Sequence, residues 1–174
     1  MKDLAMKKII TLAPVALILG LASNVQAATQ GDVTLRGTIV DTTCEITVNN
    51  GAAELNVGSF GKTAFNTAKK QVGQEPLQVS LTQCDAEEQG NLQVTGIVGA
   101  DSEIFMSNTG ESAGFMLTAE DGTTQIKNNE AVPVTADADG NLTYTFQAGM
   151  TVMDIADIVP GEYNAPIKIS YVTN

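Results

Sequence analysis

Short runs of residues in this chain place apolar side chains at every second position, the period of a half-buried strand. Val33, Leu35, Gly37 and Ile39 share one side of an extended segment whose other side carries Thr34, Arg36 and Thr38. Glu45 to Val48 continues it. Leu77-Gln-Val-Ser-Leu81 alternates into Cys84, and Leu92-Gln-Val-Thr-Gly-Ile-Val98 follows a polar turn from Asp85 to Asn91. Phe115-Met-Leu-Thr-Ala119 and Gln125-Ile-Lys127 flank Asp121-Gly122, a hairpin signal. Leu142-Thr-Tyr-Thr-Phe-Gln147 alternates again. In the last run, Tyr163 to Val172, one face carries Ala165, Ile167, Ile169 and Tyr171. Pro166 lacks an amide proton, which predicts an edge or an irregularity there. Helical periodicity is hard to find after residue 30, so the pattern predicts an all-β sandwich.

The first residues read differently. A basic start with Lys7-Lys8 precedes a nearly unbroken apolar run from Ile9 to Ala22, and Val25-Gln26-Ala27 ends in the small residues that signal peptidase requires. The run is shorter than the roughly 20 residues that span a bilayer as a helix. Residues 1–27 therefore read as a cleaved signal peptide, starting at Met1 or Met6. What remains suffices for one domain with its own core, and neither a linker nor an internal repeat divides it.

Charge narrows the partners. The chain carries a net charge of −11, with no cluster of Lys and Arg after the leader and few aromatics. Such a surface repels a phosphate backbone, so nucleic acid is excluded as a partner. Cys44 and Cys84 are the two cysteines, and in an exported chain they predict one disulfide. Closing the long loop between them is worth about 4 kcal/mol in the chain-entropy model.

Candidate chemistry is thin. The absence of histidine removes the Ser-His-Asp and Cys-His nucleophile arrangements, and the spacing of the two cysteines matches no zinc pattern. Glu87-Glu88 falls in a polar turn with nothing to desolvate it. Asp137-Ala-Asp-Gly-Asn141 faintly suggests a calcium loop, but its glycine comes early and no glutamate closes it, so a hairpin turn is expected. Asn141-Leu-Thr143 fits a glycosylation sequon at a strand start. No enzyme, metal or cofactor is expected.

The order of features resembles the structural pilins of bacterial chaperone–usher fimbriae, the type 1 and P-pilus kind. The resemblance rests on Gly31-Asp-Val-Thr-Leu-Arg-Gly-Thr-Ile-Val-Asp-Thr-Thr-Cys44, then Leu55-Asn-Val-Gly-Ser-Phe60 and Phe65. Pro76-Leu-Gln-Val-Ser-Leu-Thr-Gln-Cys84 and Pro160-Gly161 ahead of a strand with Tyr171 complete it. Tyr171 departs from the family in being followed by three residues, where its tyrosine is usually next to last.

The resemblance implies an incomplete immunoglobulin-like sandwich, completed by a donor strand from a neighbouring subunit. Strand addition to an exposed edge is an established recognition mode, with pilins among its examples. It implies a donor extension at 28–43 and a pilin domain at 44–174. Val33, Leu35, Gly37 and Ile39 would point into a neighbour's groove, and Ile46, Val48, Ala165, Ile167, Ile169 and Tyr171 would wall it. It further implies neighbouring pilin subunits, a periplasmic chaperone and an outer-membrane usher as partners, and a cell-surface fimbrium reached through the periplasm. A minor adaptor of the same fibre and a monomeric secreted β-sandwich that binds sugars or receptors remain as alternatives.

Overall fold

Residues 44–174 are described by the computed structural model. Their strands form two antiparallel sheets. The larger has the order β1-β2-β6-β4 and the smaller β5-β3-β7. These are β1 (Glu45–Val48), β2 (Val72–Thr82), β3 (Gln89–Gly96), β4 (Ala113–Thr118), β5 (Ala131–Thr135), β6 (Leu142–Val152) and β7 (Ile167–Thr173).

Alternation explains how the sheets face each other. Leu77, Val79 and Leu81 on β2 pair with Phe146, Tyr144 and Leu142 on β6, so all six share the inner face. Leu92 and Val94 on β3, Val132 and Val134 on β5, and Ile169 on β7 meet them from the other sheet. Val79, Leu92, Val94 and Phe146 are fully buried. Each such side chain contributes about 1.5–3 kcal/mol, and truncating Phe146 to alanine would cost about 3–5 kcal/mol.

A second, smaller layer lies on the outside of the larger sheet. Gly114 and Met116 on β4 and Thr151 on β6 point outward by register, yet all are buried. Ile104 and Met106, from the β3–β4 connection, cover them together with Met153. Gly114 admits this cover because a Cβ there would come within 2.7 Å of Ile104 and the Phe105 carbonyl. Phe105 also bridges Phe115, so β4 does not present a bare edge at that point.

The strands are longer or shorter than the pattern predicts where neighbours decide. β2 and β6 extend well beyond their alternating cores because each pairs with the other over most of its length. Gln125 makes one bridge to Thr118, and Gln125–Lys127 does not form a strand. The turn before it is real, held by Asp121, whose Oδ1 accepts the Thr123 and Thr124 N–H groups, each at 2.8 Å. The Thr124 hydroxyl first, and then those two backbone bonds, hold the pKa of the Asp121 carboxyl down to about 2. β7 begins directly after Pro166, with Tyr163–Ala165 outside the strand.

β5 escapes the pattern because Pro133 interrupts a run of five residues. On an edge that proline is tolerated, and it blunts the free side against pairing. Asp137–Asn141 is a turn, with Gly140 N–H donating to the Asp137 carbonyl at 3.0 Å. It is not a hairpin, since β5 and β6 belong to different sheets. Asp137 Oδ1 accepts the Asn141 and Asp139 N–H groups at 2.7 and 3.0 Å, which occupies the carboxylate with backbone.

Candidate functional site: an open cleft between two strand edges

β1 ends after four residues for a local reason. Asn49, Asn50 and Gly51 take left-handed backbone, with φ of 50, 52 and 81°. Asparagine and glycine are the residues that adopt this region most readily. The Asn49 amide then donates to the carbonyls of Ala52 and Glu54, at 3.2 and 2.8 Å. The chain beyond runs as an irregular wall rather than a strand up to the turn Lys62–Ala64.

Among the described residues β1 pairs only with β2, and β7 only with β3. Each therefore keeps one edge of backbone N–H and C=O groups without a ladder partner. Between these edges lies an open cleft of about 1300 Å³. Its floor is the exposed end of the core, with Leu77, Phe105, Phe115, Leu117, Ala148 and Met150. One wall is Val48 and residues 52–62; the other runs along residues 158–167 to Ile169.

The second wall is pinned by a closed set of hydrogen bonds. Val159 N–H donates to Ser112 Oγ at 3.3 Å, and Tyr163 Oη donates to the Val159 carbonyl at 2.7 Å. Ser112 Oγ and Tyr163 Oη are 2.8 Å apart, which leaves the serine as donor to the tyrosine. This network sets the loop 158–164 without a strand.

Val48, Ala165, Ile167 and Ile169 line this cleft. Ile46 and Tyr171 lie outside its lining: Ile46 is 37 % exposed, and Tyr171 packs against the core from the end of β7. Val33, Leu35, Gly37 and Ile39 lie outside the described residues, as do the leader and the extension. Alternation did not single out the floor residues Phe105 and Met150 or the wall at residues 52–62. Phe105 sits in a connection, and the wall follows no period; the Asn49-Asn50-Gly51 turn signal is the one mark that the strand must stop.

Cys44 and Cys84 are joined, their Cα atoms 4.2 Å apart. Glu88 lies within 4.8 Å of both sulfurs, but these are bonded to each other, so the group is no metal-ligand set. Glu88 is half-buried rather than solvated, a correction to the sequence reading. Its Oε2 accepts the Asp85 N–H at 2.9 Å and its Oε1 accepts the Tyr171 hydroxyl at 3.1 Å. Burial, the hydrogen bond to Glu88 and the glutamate's charge push the Tyr171 phenol up to about 12. Burial likewise raises the Tyr144 phenol; a hydrogen bond with Glu120 works against it, and the charges of Glu120 and Asp121 add to it. The lining of the cleft is largely apolar along its floor, from Leu77 and Phe105 to Met150.

A family model described as fimbrial protein matches residues 33–171. A type-1 fimbrial protein subunit of Serratia marcescens is 28 % identical, the alignment covering 95 % of this chain and 99 % of that protein. The crystal structure of the P pilus rod subunit PapA superposes with a TM-score of 0.63 at 15 % identity, over 76 % of this chain and 100 % of that one. A subunit from a chaperone–usher pilus structure concerned with rod uncoiling gives 0.61 at 16 % identity, over 84 and 97 %. These two likenesses are likenesses of fold.

Proposed function

This chain belongs to the fimbrial protein family, and from that premise we propose that its cleft takes up the N-terminal segment of another copy of the same chain. Members of the family are structural, not enzymatic: they polymerise with other subunits into a cell-surface fimbrium. The observation that carries the reading is the pair of strand edges, β1 and β7, that have no partner among the described residues and lie on either side of an apolar floor. An inserted strand satisfies both edges and covers the floor at once, which removes an aggregation hazard.

The segment 29–40 has the right composition for this, with Val33, Leu35 and Ile39 on the side that also carries Gly37. Burying each apolar side chain contributes about 1.5–3 kcal/mol, and each backbone hydrogen bond about 0.5–1.5 kcal/mol net. The donor and acceptor surfaces differ, so the contact is heterologous and repeats into a filament. Before assembly the open cleft needs a substitute strand. A periplasmic chaperone supplies it in this reading, and an outer-membrane usher receives the subunit after export through the periplasm.

Deleting residues 29–40 tests the reading. The shortened subunit is expected to fold, to be captured with its chaperone and to cap growing fibres without donating to the next subunit. Full-length fibres built from the deleted chain would overturn it.

A further inference from the structure

Asn141-Leu142-Thr143 does not enter the lining of the cleft. It is the one Asn-x-Ser/Thr run of the whole chain, and Asp139 stands two residues before its asparagine. The fold presents this run in full, with Asp139, Asn141 and Thr143 all exposed. The bonds that shape the turn go to Asp137, outside the run. Its Oδ1 accepts the Asp139 and Asn141 N–H groups, its carbonyl accepts the Gly140 N–H, and its own N–H donates to the Asn141 carbonyl at 2.8 Å. The Asp139 carboxylate and the Thr143 hydroxyl have no partner among the described residues. The Asn141 carboxamide makes one long bond, its Nδ2 donating to the Asp139 carbonyl at 3.2 Å.

The surroundings leave room for an attached group. Gly140 holds the turn beside the disulfide: its φ is 72°, its carbonyl accepts the Cys84 N–H at 3.1 Å, and a Cβ there would run into the Cys84 carbonyl. Leu142 faces the core, so Thr143 points outward, in a row with Ser80 and Thr47 across β2 and β1. Nothing larger than threonine crowds that row. β4 joins β6 from Gln147 onward, so the other edge of β6 at Thr143 is open among the described residues. A hollow of about 390 Å³ lies against the run, lined by Thr135, Asp137, Asn141, Leu142 and Thr143.

We propose that Asn141 is an acceptor for N-linked glycosylation, the donor being an oligosaccharide carried on a polyprenyl pyrophosphate. A subunit of a cell-surface fimbrium leaves the cytoplasm, and such donors are used on the far side of the membrane it crosses. In the transfer, Asn141 Nδ2 bonds to the anomeric carbon of the first sugar while the bond from that carbon to the pyrophosphate oxygen breaks. The polyprenyl pyrophosphate leaves with the electron pair, and the carboxamide gives up one proton. The free Thr143 hydroxyl and the free Asp139 carboxylate are the groups by which a bacterial transferase of this class holds the acceptor. The glycan lies over the hollow, away from the cleft lining, and gives an acidic surface a bulky, hydrated cover. The inference goes beyond the cleft reading and does not depend on it.

The test uses fibres sheared from the cells that naturally make the chain, dissociated and read by intact-mass and peptide mass spectrometry. The subunit is expected to exceed the mass of its processed polypeptide by one oligosaccharide, carried on the peptide that contains Asn141. Asn141→Gln and Thr143→Val are each expected to abolish the added mass, Thr143→Ser to keep it, and Asp139→Asn to lower occupancy at least tenfold. Gel ladders of detergent-stable multimers are expected to stay unchanged in all four variants. A natural subunit at its bare polypeptide mass overturns the proposal, whatever the variants do. An added mass that survives Asn141→Gln overturns it as well, since the sugar then sits elsewhere.

Discussion

The Tyr171 hydroxyl donates to Glu88 Oε1 across 3.1 Å, tying the last strand to the loop that follows β2. Because Glu88 also accepts the Asp85 N–H, the end of the chain is anchored beside the Cys44–Cys84 bridge. The tyrosine ring lies over Gly90 so closely that a Cβ there would stand 2.5 Å from it.

Gly90→Ala therefore forces the ring off its seat and strains the Glu88 contact. The expected cost is about 1–3 kcal/mol, read as a lower denaturant midpoint of the purified chain. A midpoint equal to that of the unmodified chain would show that the ring moves freely.

The phenol of Tyr171 ionises near 12 instead of its ordinary 10, burial being the largest cause. The fold thus favours the neutral phenol. Its contribution to stability is complete below pH 10 and is lost as the pH climbs through about 12. Glu88→Gln is expected to lower the ionisation without returning it to 10, because burial remains. Phenolate absorbance against pH reads this directly, and Tyr171→Phe removes the assigned step from the titration.

Replacing Cys44 and Cys84 by alanine releases a loop with a sequence separation of 40. The expected loss is about 4 kcal/mol, visible in urea unfolding. A loss well under 1 kcal/mol would mean that the loop is held by its packing alone.

An aspartate in place of Ile167 puts a charge on the cleft wall, where an inserted strand would desolvate it. The variant is expected to donate its own segment but to accept none, so that mixed expression shortens fibres in proportion to its dose. Fibres of normal length at equal expression would argue against the wall role of β7.

Gly37→Leu addresses the donor side. The glycine interrupts an otherwise apolar row, which suits a place where the floor leaves no room for a side chain. Polymerisation is expected to fail while the subunit still folds with its chaperone. Normal multimer ladders would remove that role from Gly37.

Much of this molecule is legible in its residues. Leu77–Leu81, Leu92–Val94 and Leu142–Phe146 alternate with period two, and that alone places them on the inner faces of two sheets. The pairing of Cys44 with Cys84 also belongs to the sequence reading. β5 was not legible because a proline in five residues reads as a breaker, and only its place on an edge makes it a strand. Met150 joins the cleft floor by pairing with Val72 and Phe115, far along the chain, and Phe105 by single bridges to Val98 and Phe115 from a connection that has no alternation.

Local physics, then, determined the alternating cores of β2, β3 and β6, since side-chain alternation and turn chemistry act over a few residues. The tertiary structure decided which strands lack a neighbour. Pairing order is a property of the whole chain, so the gap between β1 and β7 exists only once both sheets have formed. Ile169 shows the difference: its alternation says that it faces inward, and only the fold says that it lines an open cleft.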